Sequence, residues 1–397
     1  MNKMKRIYLD NHATTAVDPK VLEAMQPYWC ELPGNAASWH GFGKEASAAV
    51  EKARGQIGEL IGAESQAIYF TSGATESINL ALKGVASFYG EKRKQVVTLK
   101  TEHSATLDAC GYLEKEGFEV TYLGVDEMGK VCLEELDNVV SGETLVVSVL
   151  HANNEIGTIQ DLAAIGEVAR KNGAFLHVDA AQSLGKVMLD VEGQKIDLLS
   201  ATAHKLHGPK GVGCLYVRRR GPRVRLDAQI HGGGHEKGLR SGTLNVPGIV
   251  GFGQACEIAR EGRVEQDEYI RGLRDRLWGL LKVGDETLVR NGHPVETLAG
   301  NLNFSVPGVD AMNLLMKVPE LAMSAGSACT SAIPAPSHVL RAIGVPAELA
   351  TSSIRVGVSR FNSEEEMEFA AGRILEAIRE LRESSDGGEL PESCLAF

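Results

Sequence analysis

Between about residues 67 and 217, short apolar runs alternate with amphipathic stretches, and this alternation limits the fold more than any other feature of the sequence. Residues 67–70, 95–99, 119–123, 145–150, 174–178 and 196–200 read as strands. Helical patterns lie between them, opening at 74 and covering 104–115, 133–139 and 162–171. Such alternation implies a mostly parallel sheet with helices on both faces. Right-handed crossovers bring the C-terminal strand ends to one edge, where ligands of open α/β sheets bind. Ser72 and Thr75, His103, Asn154, Asp179 and Lys205 all stand just past such ends, so together they mark a site. Residues 211–217 read as an antiparallel strand that closes the sheet.

The pair Asp179 and Lys205 points to one kind of chemistry. A lysine can hold pyridoxal phosphate (PLP) as a Schiff base, and a carboxylate can keep the pyridine nitrogen protonated. A structural aspartate and a surface lysine are the competing reading. Thr71-Ser72-Gly73-Ala74-Thr75 follows a strand and opens a helix, which suits a phosphate cup. The alternative is a capping box in which Ser72 or Thr75 caps the helix. Arg240-Ser241-Gly242-Thr243 is a second small, basic, hydroxyl-bearing loop suited to phosphate.

Beyond residue 245 the pattern changes. Two helices, 246–261 and 265–282, lead to a smaller α+β unit with strands near 287–290, 301–306, 321–324 and 353–358. In that unit Cys329 sits among small residues, Ser324 to Ala332. An exposed thiolate there is a good nucleophile, whereas a buried cysteine would only pack. Arg355 stands in an otherwise apolar strand and needs an anion. That anion is either a substrate carboxylate or a carboxylate of the protein itself.

Composition excludes other classes. The net charge of −11 argues against nucleic acid or an anionic membrane as the main partner. The seven cysteines are scattered without a CxxC pair, which argues against a disulfide framework or structural zinc. His231 and His235 flank three glycines with no third ligand near them in sequence, so no metal is expected. No apolar run approaches the ~18 residues of a membrane span, and the chain reads as cytoplasmic. Cys394 stands in a formal prenylation pattern, read as a chance match because the tail before it is acidic.

Taken together, these motifs resemble the cysteine desulfurases of the PLP-dependent fold-type I (class V aminotransferase) superfamily. The similarity runs from about Tyr8 to Leu381 and includes Tyr8-Leu9-Asp10-Asn11, Thr101-Glu102-His103, Asn153-Asn154-Glu155, His177-Val178-Asp179, His204-Lys205 and Gly326-Ser327-Ala328-Cys329-Thr330-Ser331. The resemblance implies a large domain over 16–262 with a mostly parallel seven-stranded sheet. It implies a smaller α+β domain from 1–15 and 263–397. Lys205 would hold PLP and move the Cα proton, and His103 would stack on the ring and share in proton transfer. Asp179 would pair with the pyridine nitrogen, with Gln182 and Asn154 at the ring oxygen. Ala74, Thr75, Thr202 and His204 would bind phosphate, joined by Thr243 from the second subunit of a homodimer. Arg355, helped by Asn154, would hold the substrate carboxylate. Cys329 would take sulfur from L-cysteine as a persulfide, releasing L-alanine. An iron–sulfur scaffold or another thiolation acceptor would receive that sulfur, and Cys329 as a transient iron–sulfur ligand is the one metal role implied. A selenocysteine lyase, an aminotransferase of the same fold and a non-catalytic sulfur carrier or scaffold are the rivals. His12, Ala36 and Thr202 depart from the usual motif residues.

Overall fold

A computed structural model describes residues 6–325 and 337–386. Strand β1 (Ile7–Tyr8) comes first. Seven strands then form the main sheet: β2 (Ile68–Thr71), β3 (Gln95–Leu99), β4 (Glu119–Leu123), β5 (Thr144–Leu150), β6 (Phe175–Asp179), β7 (Leu198–Thr202) and β8 (Gly213–Val217). Their order is β2-β8-β7-β6-β5-β3-β4, and within this sheet only β8 runs antiparallel to its neighbours. The seven-stranded, mostly parallel sheet implied by the resemblance is therefore present. The expectation that β8 closes the sheet needs correction, because β8 lies between β7 and β2 and leaves β2 at the edge. Gly213 permits that insertion: a Cβ on it would sit 2.5 Å from the Ala201 carbonyl oxygen and 2.6 Å from Gly73 Cα.

Successive strand residues face opposite sides. Val97, Val147 and Leu199 enter one core, while Val96, Val146 and Leu198 enter another. All six are buried, as a sheet covered by helices on both faces requires. His177 cross-links the centre of the sheet. Its ring lies 2.8 Å from Ser148 Oγ on β5 and 2.9 Å from Ser200 Oγ on β7. Burial pushes this histidine down to about 3, so it stays neutral and ties together the strands that carry Asp179 and Lys205.

Five strands complete the structure: β9 (Val289–Asn291), β10 (Asn301–Ser305), β11 (Leu321–Ala322), β12 (Ser324–Ala325) and β13 (Ser353–Gly357). A second sheet, β12-β13-β10-β9, is antiparallel throughout. β1 pairs in parallel with β11, and Asp10 bridges Gly357. The following residues cross to the main sheet, where the Thr15 amide donates to the His204 carbonyl at 2.9 Å.

The two helices expected over 246–261 and 265–282 are one helix, Val246–Gly284. The intervening Gly262-Arg263-Val264 holds no proline, and an interior glycine costs only ~1 kcal/mol relative to alanine. Burial at both ends outweighs that cost. Phe252 and Cys256 lie in a core of the main sheet, and Leu273, Leu277 and Leu281 lie in the core of the second. Among the described residues no helix is long and apolar enough to cross a membrane.

Candidate functional site

A cavity of about 490 Å³ opens at the C-terminal strand ends. Thr75, His103, Asn154, Asp179, Gln182 and Lys205 line it, with Ala74, Thr202 and His204. These nine sequence-predicted residues, from five stretches of chain, are thus brought together.

Its floor is the start of helix Ala74–Tyr89. No side chain caps that helix at Gly73, so neither Ser72 nor Thr75 makes the capping box considered above. Amides at an uncapped N-terminus, aided by the helix dipole, favour an anion. Glu76 also lines the cavity, its carboxylate accepting from the Ser72 amide at 2.8 Å and from Arg240 Nε at 2.8 Å. Arg240 thus fastens the loop carrying Thr243, which is exposed and outside the cavity lining. The same loop is anchored by Glu236, whose carboxylate takes both Arg54 Nη atoms at 2.8 and 2.9 Å and the Phe70 amide at 2.7 Å. Arg54→Ala would strand that buried carboxylate. We expect it to cost ~3–5 kcal/mol, read as a lower urea midpoint.

Lys205 ends a short 3-10 turn, Ala203–Lys205, directly after β7. Thr15 Oγ1 accepts from the His207 amide and donates to the His204 carbonyl, both at 2.9 Å. His207 adopts φ +59°, a left-handed conformation uncommon outside glycine, so the turn is held by its contacts rather than by local preference. His204 Nδ1 lies 3.1 Å from Thr14 Oγ1. Burial, then the Lys205 charge, pushes its ring down to about 4, so it meets a ligand as a neutral imidazole.

Asp179 ends β6, is 2 % exposed and accepts the Ala181 amide through Oδ1 at 2.9 Å. Burial pushes its carboxyl above the usual range, while Lys205 and His103 pull it down. His103 caps helix Ser104–Lys115, with Nδ1 accepting the Ala105 amide at 3.1 Å. Burial holds this imidazole below its ordinary range. The neutral ring therefore carries its proton on Nε2, as the acceptor role of Nδ1 requires.

Arg355, on β13, does not line this cavity. Its Nη2 donates to Asp10 Oδ1 at 2.8 Å and its Nη1 to the Asn154 carbonyl at 3.0 Å. The guanidinium is thus paired with a protein carboxylate, and its buried Nε has no hydrogen-bond partner among the described residues. Cys329 and Cys394 lie outside the described residues. Next to that gap, Ser337 Oγ donates to Glu155 Oε2 at 2.5 Å, and His338 Nε2 donates to the Glu102 carbonyl at 2.9 Å, beside His103.

Thr14, Lys210 and Ala181 also line the cavity, although the sequence reading gave them no role. The Gly208-Pro209-Lys210-Gly211 turn after Lys205 was the available signal for Lys210.

The aminotransferase class-V family model matches residues 7–369. A curated relative described as "Cysteine desulfurase IscS", from Aeromonas hydrophila subsp. hydrophila, is 53 % identical over 382 residues, covering 96 % of this chain and 94 % of the relative. A solved structure titled "NIFS-LIKE PROTEIN" superposes with a TM-score of 0.88 at 39 % identity, covering 94 % of this chain and 99 % of that one. Another, titled "SspA in complex with cysteine", gives a TM-score of 0.79 at 34 % identity over 90 % of this chain and 99 % of that one.

Proposed function

The chain belongs to the aminotransferase class-V family, and on that premise we propose how it works as a cysteine desulfurase, converting L-cysteine to L-alanine and passing sulfur to Cys329 as a persulfide. What carries the reading is a single cavity edge that holds Lys205, the buried Asp179 and an uncapped helix N-terminus.

These residues suit PLP. A carboxylate raised by burial is relieved by a cation beside it, which a protonated pyridine nitrogen provides. The open amides at Ala74 and Thr75, with Thr202, His204 and the Lys210 charge, suit a phosphate. When bound, PLP supplies an electron sink for negative charge at the substrate Cα.

The remaining chemistry belongs to the chain. Lys205 holds the cofactor and moves the Cα proton. His103 faces the same cavity and donates from Nε2. Arg355 takes the substrate carboxylate by exchanging or sharing its Asp10 contact, and Asn154 lies between the two. The Cys329 thiolate receives one sulfur atom, so that an enzyme thiol and L-cysteine become an enzyme persulfide and L-alanine. The site sits on a large domain, 16–262, and a small domain from 1–15 and 263–397 completes it. The enzyme acts as a homodimer whose partner contributes Thr243. An exposed Thr243 and the exposed Trp29, Trp39 and Phe42 support that arrangement. It works in the cytoplasm, where a thiol nucleophile stays reduced. The persulfide sulfur goes on to an iron–sulfur scaffold or another thiolation acceptor.

The test is PLP-loaded protein with L-cysteine and a reductant, measuring alanine and sulfide. Equal amounts are expected, and sulfide without alanine would overturn the reading. Asp179→Asn cannot hold the pyridine proton by charge. Its kcat/KM for alanine release should fall on the order of 100-fold, the equivalent of about 2 pK units at that nitrogen.

A further inference from the structure

Behind the main cavity, His12 and Gln182 face each other, and both are buried, at 4 % and 1 % exposure. Gln182 Nε2 donates to the His12 carbonyl oxygen at 2.8 Å, and Gln182 Oε1 lies 3.4 Å from His12 Nδ1. A backbone carbonyl can only accept, so it fixes which end of the amide is nitrogen. Oε1 is then the atom facing Nδ1, and an acceptor there requires Nδ1 to carry a proton. Burial, then the Lys186 and Arg355 charges, holds the imidazole well below the ordinary histidine range, so the ring is neutral and its proton is on Nδ1 alone. His12 Nε2 is left as a bare acceptor. Among the described residues it is buried without a hydrogen-bond partner, next to a smaller cavity that His12, Lys186 and Lys205 line.

Resting on the PLP reading above, we propose that His12 is a positioning residue: its carbonyl and its Nδ1–H together clamp the Gln182 amide so that the second Gln182 N–H faces the cofactor cavity. Gln182 lines that cavity, and its other amide proton is already committed to the His12 carbonyl. An N–H presented there stabilises the ionised ring oxygen of the cofactor and therefore lowers the pH at which the bound chromophore titrates.

Three variants separate this role from packing. Asparagine can place an N–H where His12 Nδ1 lies, but it leaves part of the volume empty. Phenylalanine fills the volume and offers no donor. His12→Ala does neither and serves if the phenylalanine variant fails to fold. A positioning role predicts a near-native spectral midpoint for His12→Asn, with His12→Phe and His12→Ala raised by about half a pH unit or more. A packing role predicts the reverse order, which would overturn the inference, as would unchanged midpoints in all three. In PLP-loaded Gln182→Ala, the His12 substitutions should no longer move the midpoint. Independently, ¹⁵N-histidine NMR of the cofactor-free protein should show His12 with its proton on Nδ1. A proton on Nε2 would overturn the clamp whatever the cofactor does. A wild-type chain that takes up no PLP would overturn the functional reading instead, leaving the NMR result to decide this one.

Discussion

Lys205→Ala should abolish alanine formation from L-cysteine, by 10³-fold or more on the order of what loss of a nucleophile or general base produces. The size of the effect follows from position. Lys205 lines both the main cavity and the smaller one behind it, at the end of a turn pinned by Thr15 from another part of the chain. Among the described residues no other lysine lines both: Lys210 lines only the main cavity and Lys186 only the smaller one. Burial, then the Lys205 charge, pushes Lys186 down to about 7, so a partly deprotonated amine stands nearby. It belongs to the cavity behind the site, however, and is not expected to rescue the variant. The check has two parts, alanine release and the visible absorbance of PLP-loaded protein after gel filtration. Both should be lost together. Normal turnover by Lys205→Ala would remove the central assignment and favour a carrier or scaffold role.

The parts of this site that could be read from sequence are those fixed by local pattern. Asp179 and Lys205 follow apolar strands, and in a parallel sheet strand ends converge whatever the side chains are. The start of helix Ala74–Tyr89 was legible for the same reason, because a strand, a glycine and a helix in that order determine the geometry. Long-range pairing was not legible. Nothing near Arg355 in sequence announces Asp10, which reaches it because β1 pairs with β11 and Asp10 bridges Gly357. The insertion of β8 between β7 and β2 depends on how closely Gly213 can approach Gly73, a contact across 140 residues that has no local signature. The continuity of helix Val246–Gly284 was missed because a Gly-Arg-Val step looks like a break, while the burial that overrides it comes from two different cores. His12 and Gln182 show the same limit: each is an ordinary polar residue until the fold sets them face to face.

Cys329→Ala should lower alanine formation by at least about 100-fold while leaving the visible absorbance of bound PLP unchanged. The separation of the two readouts carries the argument. On the proposed reading, loading depends on Lys205, Asp179 and the helix N-terminus, whereas sulfur abstraction needs the Cys329 thiolate. The described cysteines offer no substitute. Burial pushes the Cys110 and Cys214 thiols up to about 12 and the Cys256 thiol well above its ordinary range. Cys30 and Cys132 are exposed, but neither lines the cavity. Cys329→Ser is the sharper variant, because it keeps the size of the side chain and removes only the nucleophile. With wild-type protein and L-cysteine, but no reductant, one sulfur should accumulate per chain as a persulfide that cyanide releases as thiocyanate. In either variant that product should be absent. Alanine and sulfur release at wild-type rates in Cys329→Ser would show direct elimination, the behaviour of a selenocysteine lyase, and would take Cys329 out of the reaction. Loss of alanine together with loss of bound PLP would instead place Cys329 in the fold or the cofactor site, a role distinct from that of sulfur acceptor.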